Sequence, residues 1–188
     1  MIGKKELLNF LKSYKTDFPN EKNDVAKFID LINAHPDIFF RKCEVAHITG
    51  SALVINLTTR RILLHKHKKL NRWLQFGGHA DGELDIKKVA LKEATEESGL
   101  SDLNFLFADP IDLDLQLIPA RNEEPEHYHL DFRYLMETSA TSVPKIEANE
   151  SQELNFFSID DHSLENIKID PSLHRLISKT QKLINNIN

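Results

Sequence analysis

A helix that turns its acids toward its own apolar side is hard to fit into any fold, and the acidic stretch that follows the glycine-rich turn Gly77 to Leu84 reads as such a helix. With about 100° of turn per residue and Glu93 as zero, Glu96 and Glu97 fall near −60° and +40°. Ile86, Val89 and Ala90 share that arc, while the outward arc carries Lys87, Lys88, Lys92 and Thr95. Like charges at helical neighbour spacing repel, and repel more when partly desolvated, so this face calls for an offsetting charge. A hard divalent cation held by oxygen ligands, Mg2+ or Mn2+, supplies one. A solvated acidic face paired to the neighbouring lysines is the plainer alternative, and spacing alone leaves both open.

The glycines Gly77 and Gly78 precede this helix, and Glu93-Ala94-Thr95-Glu96-Glu97-Ser98-Gly99-Leu100 closes it. From Gly78 to Leu100 the chain resembles the Nudix box of the Nudix hydrolases. Two positions depart from the family pattern. Leu84 stands where the family has its first glutamate, with Glu83 one residue early, and Lys92 replaces an arginine, which keeps the charge and loses the two-pronged fork. The resemblance implies an α+β fold, an α/β/α sandwich with a mixed sheet between helices. It also implies that Glu93, Glu96, Glu97 and the carbonyl of Gly78 bind the metal, and that an acid takes a proton from water. Glu97 and Glu93 are candidates for that acid. So is a residue from the loop before the last strand, where Glu147, Glu150 and Glu153 are available, and Glu150 joins the catalytic set.

The chain of 188 residues with a net charge of −5 suits a globular protein and argues against nucleic acid held mainly by phosphate neutralisation. A small phosphorylated substrate is the expected partner, with no membrane. The single cysteine, Cys43, excludes an internal disulfide. With no apolar run near about 18 residues and no signal-peptide pattern, a cytoplasmic location is expected.

Residues 1–44 read as an N-terminal helical extension packed on a main domain of residues 45–188. A first helix covers 4 to 14, Pro19 breaks the chain, and a second helix capped by Asn23 or Asp24 runs to Ala34. Covering the substrate or contacting a second copy in a homodimer are the roles open to it. His47 to Ile55 and Ile62 to Leu64 form a hairpin, followed by a basic loop from His65 to Arg72. Lys69 and Arg72 in that loop, with Arg133, are the candidates for phosphate contacts. Ile111 to Leu117 alternates as a half-buried strand whose Asp112 and Asp114 are expected to face solvent. In the next strand His127, His129 and Asp131 project from one face. Substrate contact, a transition-metal site, or a polar face with Arg133 paired to Asp131 all fit that spacing. A final strand covers Glu153 to Ser158, and a helix begins at Pro171.

The resemblance implies a metal-dependent hydrolase that cleaves a diphosphate linkage in a nucleoside diphosphate joined to another moiety. A nucleotide-binding or regulatory protein that keeps the fold with weak turnover is the rival, motivated by Leu84 and Lys92. Tyr128, Phe132, Trp73 and Phe76 are aromatic groups able to stack a base, though aromatic residues on strands are more often core. An isoprenyl diphosphate isomerase would need a reactive cysteine, and Cys43 lies before the first strand.

Overall fold

The computed structural model describes residues 3–121, 124–139, 141–146, 151–160 and 162–186. Two helices, α1 (Lys4–Ser13) and α2 (Pro19–Ala34), precede strands β1 (Ala46–Asn56), β2 (Arg61–His67), β3 (Arg72–Leu74) and β4 (Phe76–His79). Helix α3 (Ile86–Ser98) follows, then β5 (Asn104–Phe105), β6 (Asp112–Ile118), β7 (His127–Glu137), β8 (Ser151–Ser158), a 3-10 turn (His162–Asn166) and α4 (Pro171–Asn185).

The sheet runs β3-β2-β1-β7-β5, with β4 also paired to β1, β6 to β7 and β8 to β2. β1 and β7 pair in parallel from Ala46↔Tyr128 to Ile55↔Glu137, while the other pairings are antiparallel. The sheet is thus mixed, with helices on both faces. All of β1 is buried, as a central strand covered on both sides must be.

Alternation along β1 and β7 sorts side chains between the two faces. Ala46, Ile48, Ala52 and Val54 join Leu130, Phe132, Tyr134 and Met136 in a core closed by α1, α2 and α3. Leu53, Ile55 and Leu135 turn the other way, into a second core beneath α4 with Leu173, Leu176 and Ile177. The rest of that second face is polar: His47, Thr49 and Ser51 on β1 adjoin His129, Asp131 and Arg133 on β7.

Several expectations need correction. Helix α2 is not capped by Asn23 or Asp24, which lie inside it, but starts at Pro19, because the first helical position has no use for the missing N–H; the break after α1 falls before it, between Ser13 and Pro19. His65 and His67 lie on β2 rather than in a loop, and only residues 68–71 form the turn. Asp112 and Asp114 are buried, not solvent-facing, because α4 lays Arg175 over that side of β6. Arg175 bonds Asp112 at 2.8 Å and 2.9 Å and Asp114 at 3.1 Å.

The N-terminal helices are part of the first core. Leu7, Leu11, Phe28 and Ile32 are buried in it, and the Phe28 ring meets Phe132 edge-on at 5.3 Å. Glu21 of α2 is wholly buried, where it accepts the Leu113 N–H at 3.0 Å and the Tyr14 hydroxyl at 2.6 Å and pairs with Lys179 of α4. Among the described residues, no helix is long and apolar enough to cross a membrane.

Candidate active site

Two different close approaches explain the glycines of β4: helix α3 packs over Gly78, and β1 crowds Gly77 from the other face. A Cβ on Gly78 would lie 2.5 Å from the carboxylate carbon of Glu93, and one on Gly77 would lie 2.4 Å from the Ser51 Cβ. Both glycines sit in regular strand pairing with β1, so what they provide is room rather than an unusual backbone turn. Glu97 reaches the same strand: it is only 5% exposed and accepts the Gly77 N–H at 3.0 Å.

Glu93 and Glu96 flank a single ammonium. Lys92 Nζ lies 2.9 Å from Glu93 Oε1 and 2.9 Å from Glu96 Oε2. Its hydrogen bonds, first to Glu96 and then to Glu93, hold the ammonium well above the ordinary lysine value. This is the lysine pairing that a solvated acidic face makes, and the donors it gathers are all oxygen. Their chemistry, rather than their present spacing, suits Mg2+ or Mn2+.

Glu83 does not stand in for the glutamate missing at Leu84. It accepts the Asp85 N–H at 2.9 Å at the start of α3, two helical turns and about 10 Å of rise before Glu93. Leu84 is 45% exposed. Glu147 and Glu150 lie outside the described residues, and Glu153 pairs with Lys66 in the β8–β2 ladder.

The cations expected at phosphate are not gathered at these carboxylates. Lys69 is exposed in the β2–β3 turn, and Arg72 turns toward α4, where its guanidinium lies 3.7 Å from Asp170. Arg133 is 1% exposed and enclosed by acids: Asp131 at 2.9 Å, Asp114 at 2.8 Å and Asp112 at 3.4 Å. Burial alone would lower its pKa, and these carboxylates outweigh that and raise it. Such a side chain balances buried charge and presents no free fork to a ligand. The aromatic candidates are mostly core as well: Phe76 and Phe132 are fully buried, and Trp73 stacks edge-on with Phe157. Cys43 is buried, which pushes its thiol up and makes it a poor nucleophile.

His127 and His129 do share a face, and β pairing brings two further imidazoles to it. His47 lies beside His129 in the parallel register, and His79 lies opposite Thr49, two residues along the same face. The His47 ring stands 4.7 Å to 4.8 Å from those of His79, His127 and His129. Burial, then Arg41 and the neighbouring rings, push His79 down to about 4. Burial followed by His79, His47 and His127 push His129 down to about 2. Asp131 does not join the rings. Its carboxylate accepts from Thr49 Oγ1 at 3.0 Å, Ser51 Oγ at 2.7 Å and Arg133 Nε at 2.9 Å.

The NUDIX domain family matches residues 47–178. Among solved structures, a hydrolase of the NUDIX family from Clostridium perfringens is 26% identical, covering 73% of this chain and 97% of that one with a TM-score of 0.57. The Ap4A hydrolase of C. elegans in a binary complex is 14% identical, with 74% and 98% of the two chains covered and a TM-score of 0.57. The NUDIX domain of Shewanella oneidensis NrtR, complexed with ADP ribose, is 12% identical over 73% of this chain and 87% of that one, with a TM-score of 0.53. These last two likenesses are of fold. No curated protein matches the sequence.

Proposed function

We propose, for a chain that belongs to the NUDIX domain family and is a hydrolase of that type, that the bond it cleaves is a diphosphate linkage in a nucleoside diphosphate joined to another moiety, with Mg2+ or Mn2+. The observation that carries this reading is the pair Glu93 and Glu96 closed around one cation, with Glu97 anchored beside them on the Gly77 N–H. Glu93, Glu96, Glu97 and the Gly78 carbonyl would hold the metal. When bound, such an ion neutralises the diphosphate and lowers the pKa of a coordinated water. Lys92, seated between two of the acids, would yield that place to the metal and supply a cation for the phosphate. Glu97, fixed by its hydrogen bond to the strand, is the better placed of the described acids to accept a proton from water without drifting, and Glu150 is the second candidate. A nucleoside moiety is supported by two fold-level neighbours, an Ap4A hydrolase and a NUDIX domain complexed with ADP ribose.

The test is a panel of dinucleotides, nucleotide sugars, ADP-ribose and nucleoside triphosphates with either metal, run on the native chain and on Glu97→Gln. Product that requires metal and falls at least about 100-fold in the variant is expected, as for a group acting in proton transfer. Full turnover in Glu97→Gln would remove it from the mechanism. The second reading, a nucleotide-binding protein with weak turnover, is favoured by one observation: Leu84 is exposed and Glu83 is engaged at the Asp85 N–H, so neither supplies the further glutamate of the family pattern. Ligand and metal binding without product across the panel would select it, and Leu84→Glu is then the variant expected to restore turnover.

A further inference from the structure

On the face of the sheet opposite α3, the Nε2 atoms of His127 and His79 both come close to that of His129. His129 Nε2 lies 3.1 Å from His127 Nε2 and 3.2 Å from His79 Nε2. His47, His127 and His129 bring their ligand atoms within 4.8 Å of one another. His47 is 6% exposed, and its Nε2 is buried with no hydrogen-bond partner.

Protons alone do not satisfy this arrangement. A neutral imidazole has one N–H and one lone pair. His127 Nδ1 donates to the Pro125 carbonyl at 2.8 Å, which leaves the lone pair on Nε2. If His129 Nε2 bears its proton, it donates well to only one of its two neighbours. If it bears its lone pair, it accepts from His79 but faces the lone pair of His127. One close contact therefore stays unsatisfied in either tautomer, and the His47 nitrogen stays unsatisfied throughout. A single cation accepts all of these lone pairs at once.

The spacing suits a tetrahedral cation. Zinc–imidazole bonds of about 2.0 to 2.1 Å at tetrahedral angles separate neighbouring nitrogens by about 3.3 to 3.4 Å. The His127–His129 and His79–His129 separations are within a few tenths of an ångström of that edge. Imidazole donors select a borderline transition metal over Mg2+. The Pro125 carbonyl on His127 Nδ1, and the Cys43 carbonyl 3.5 Å from His47 Nδ1, are the kind of outer partners that orient metal-binding histidines. Arg41, the cation nearest in effect, is held by Asp81 through two bonds of 2.7 Å, so its charge is offset.

We propose that His47, His127 and His129, completed by His79, bind one transition-metal ion of the zinc class. It is distinct from the carboxylate site, since Gly78 meets Glu93 on one face and the next residue, His79, points to the other. The ion ties β1, β4 and β7 together at one end of the sheet.

The test uses the full chain stripped with chelator and titrated with Zn2+ by calorimetry, and with Co2+ by visible absorption. One Zn2+ per chain is expected, with an intense tetrahedral Co2+ band that Mg2+ does not displace. His127→Gln and His129→Gln are each expected to weaken Zn2+ by more than the roughly 10- to 100-fold that losing an outer partner costs, and His79→Gln by about that amount. Glu93→Gln is expected to leave Zn2+ affinity unchanged. The Co2+ spectrum of the native chain needs no variant and so stands even if a histidine variant fails to fold. No Zn2+ uptake by the native chain, an octahedral Co2+ spectrum, or unchanged affinity in folded His127→Gln and His129→Gln would overturn the site. Loss of Zn2+ in Glu93→Gln would assign the ion to the carboxylates instead.

Discussion

At Gly78 a single methyl group separates two outcomes. A Cβ there would sit 2.5 Å from the Glu93 carboxylate, which is the free end of a flexible side chain and moves aside readily. The strand need not distort, but Glu93 is displaced from the cluster. Gly78→Ala is therefore expected to keep its melting temperature within a few degrees while metal-dependent turnover falls on the order of 100-fold, since about 1 Å of misplacement suffices for that. Thermal denaturation beside turnover checks it, and full activity in a folded variant would show that Glu93 tolerates displacement. The acids of α3 also differ in kind. Glu97 is buried and fixed to a backbone N–H, whereas the side chain of Glu96 is 53% exposed and held by a lysine.

At the level of elements, α2 belongs to the core rather than to a detachable arm. Phe28 is wholly buried between the helix and Phe132, so Phe28→Ala should cost about 3 to 5 kcal/mol. Urea unfolding should stay a single transition, and a separate early transition for the N-terminal helices would contradict the shared core. Helix α3 was legible from the chain alone because its acids and apolar residues fall on one arc at a fixed period. Alternation located β6 equally well but does not say what covers the polar side, and Asp112 and Asp114 were misjudged because the covering residue, Arg175, is far away on α4. For the same reason His127 and His129 stood out as a pair while His47 and His79 did not. Their meeting depends on the parallel register His47↔His129 and on the β1–β4 pairing, neither of which leaves a local signal.

Across the whole molecule, buried charge makes the fold sensitive to acid in two stages. Burial by itself would raise Asp112, but Arg175, Arg133 and Lys179 outweigh it and hold the carboxyl below its ordinary value, with Glu21, Asp114 and Asp131 sharing the same cations. A folded pKa below the unfolded one gives stability that is present above about pH 4 and is lost as pH falls through the folded value. His79 and His129, pushed down to about 4 and about 2, follow the same sign from a higher start. The unfolded chain takes up their protons below about pH 6.5 while the fold does not. Metal-free protein should thus lose stability from about pH 6.5 downward and more steeply below about 4, with the first stage reduced in His129→Gln, as read by denaturant midpoints. A midpoint independent of pH between 7 and about 4 would rule out the first stage.

The parallel pairing at the centre of the sheet has a consequence in time. β1 meets its partner across the span from Ala46 to Tyr128, so neither polar nor apolar face is complete until β7 is available. Distant pairings of this kind slow folding, since the intervening loop must close before its contacts reward it. On a chain emerging from N-terminus to C-terminus, β1, β2 and the α3 segment all leave before β7, so the carboxylates of α3 gain the finished sheet beneath them only when the last long-range pairing closes.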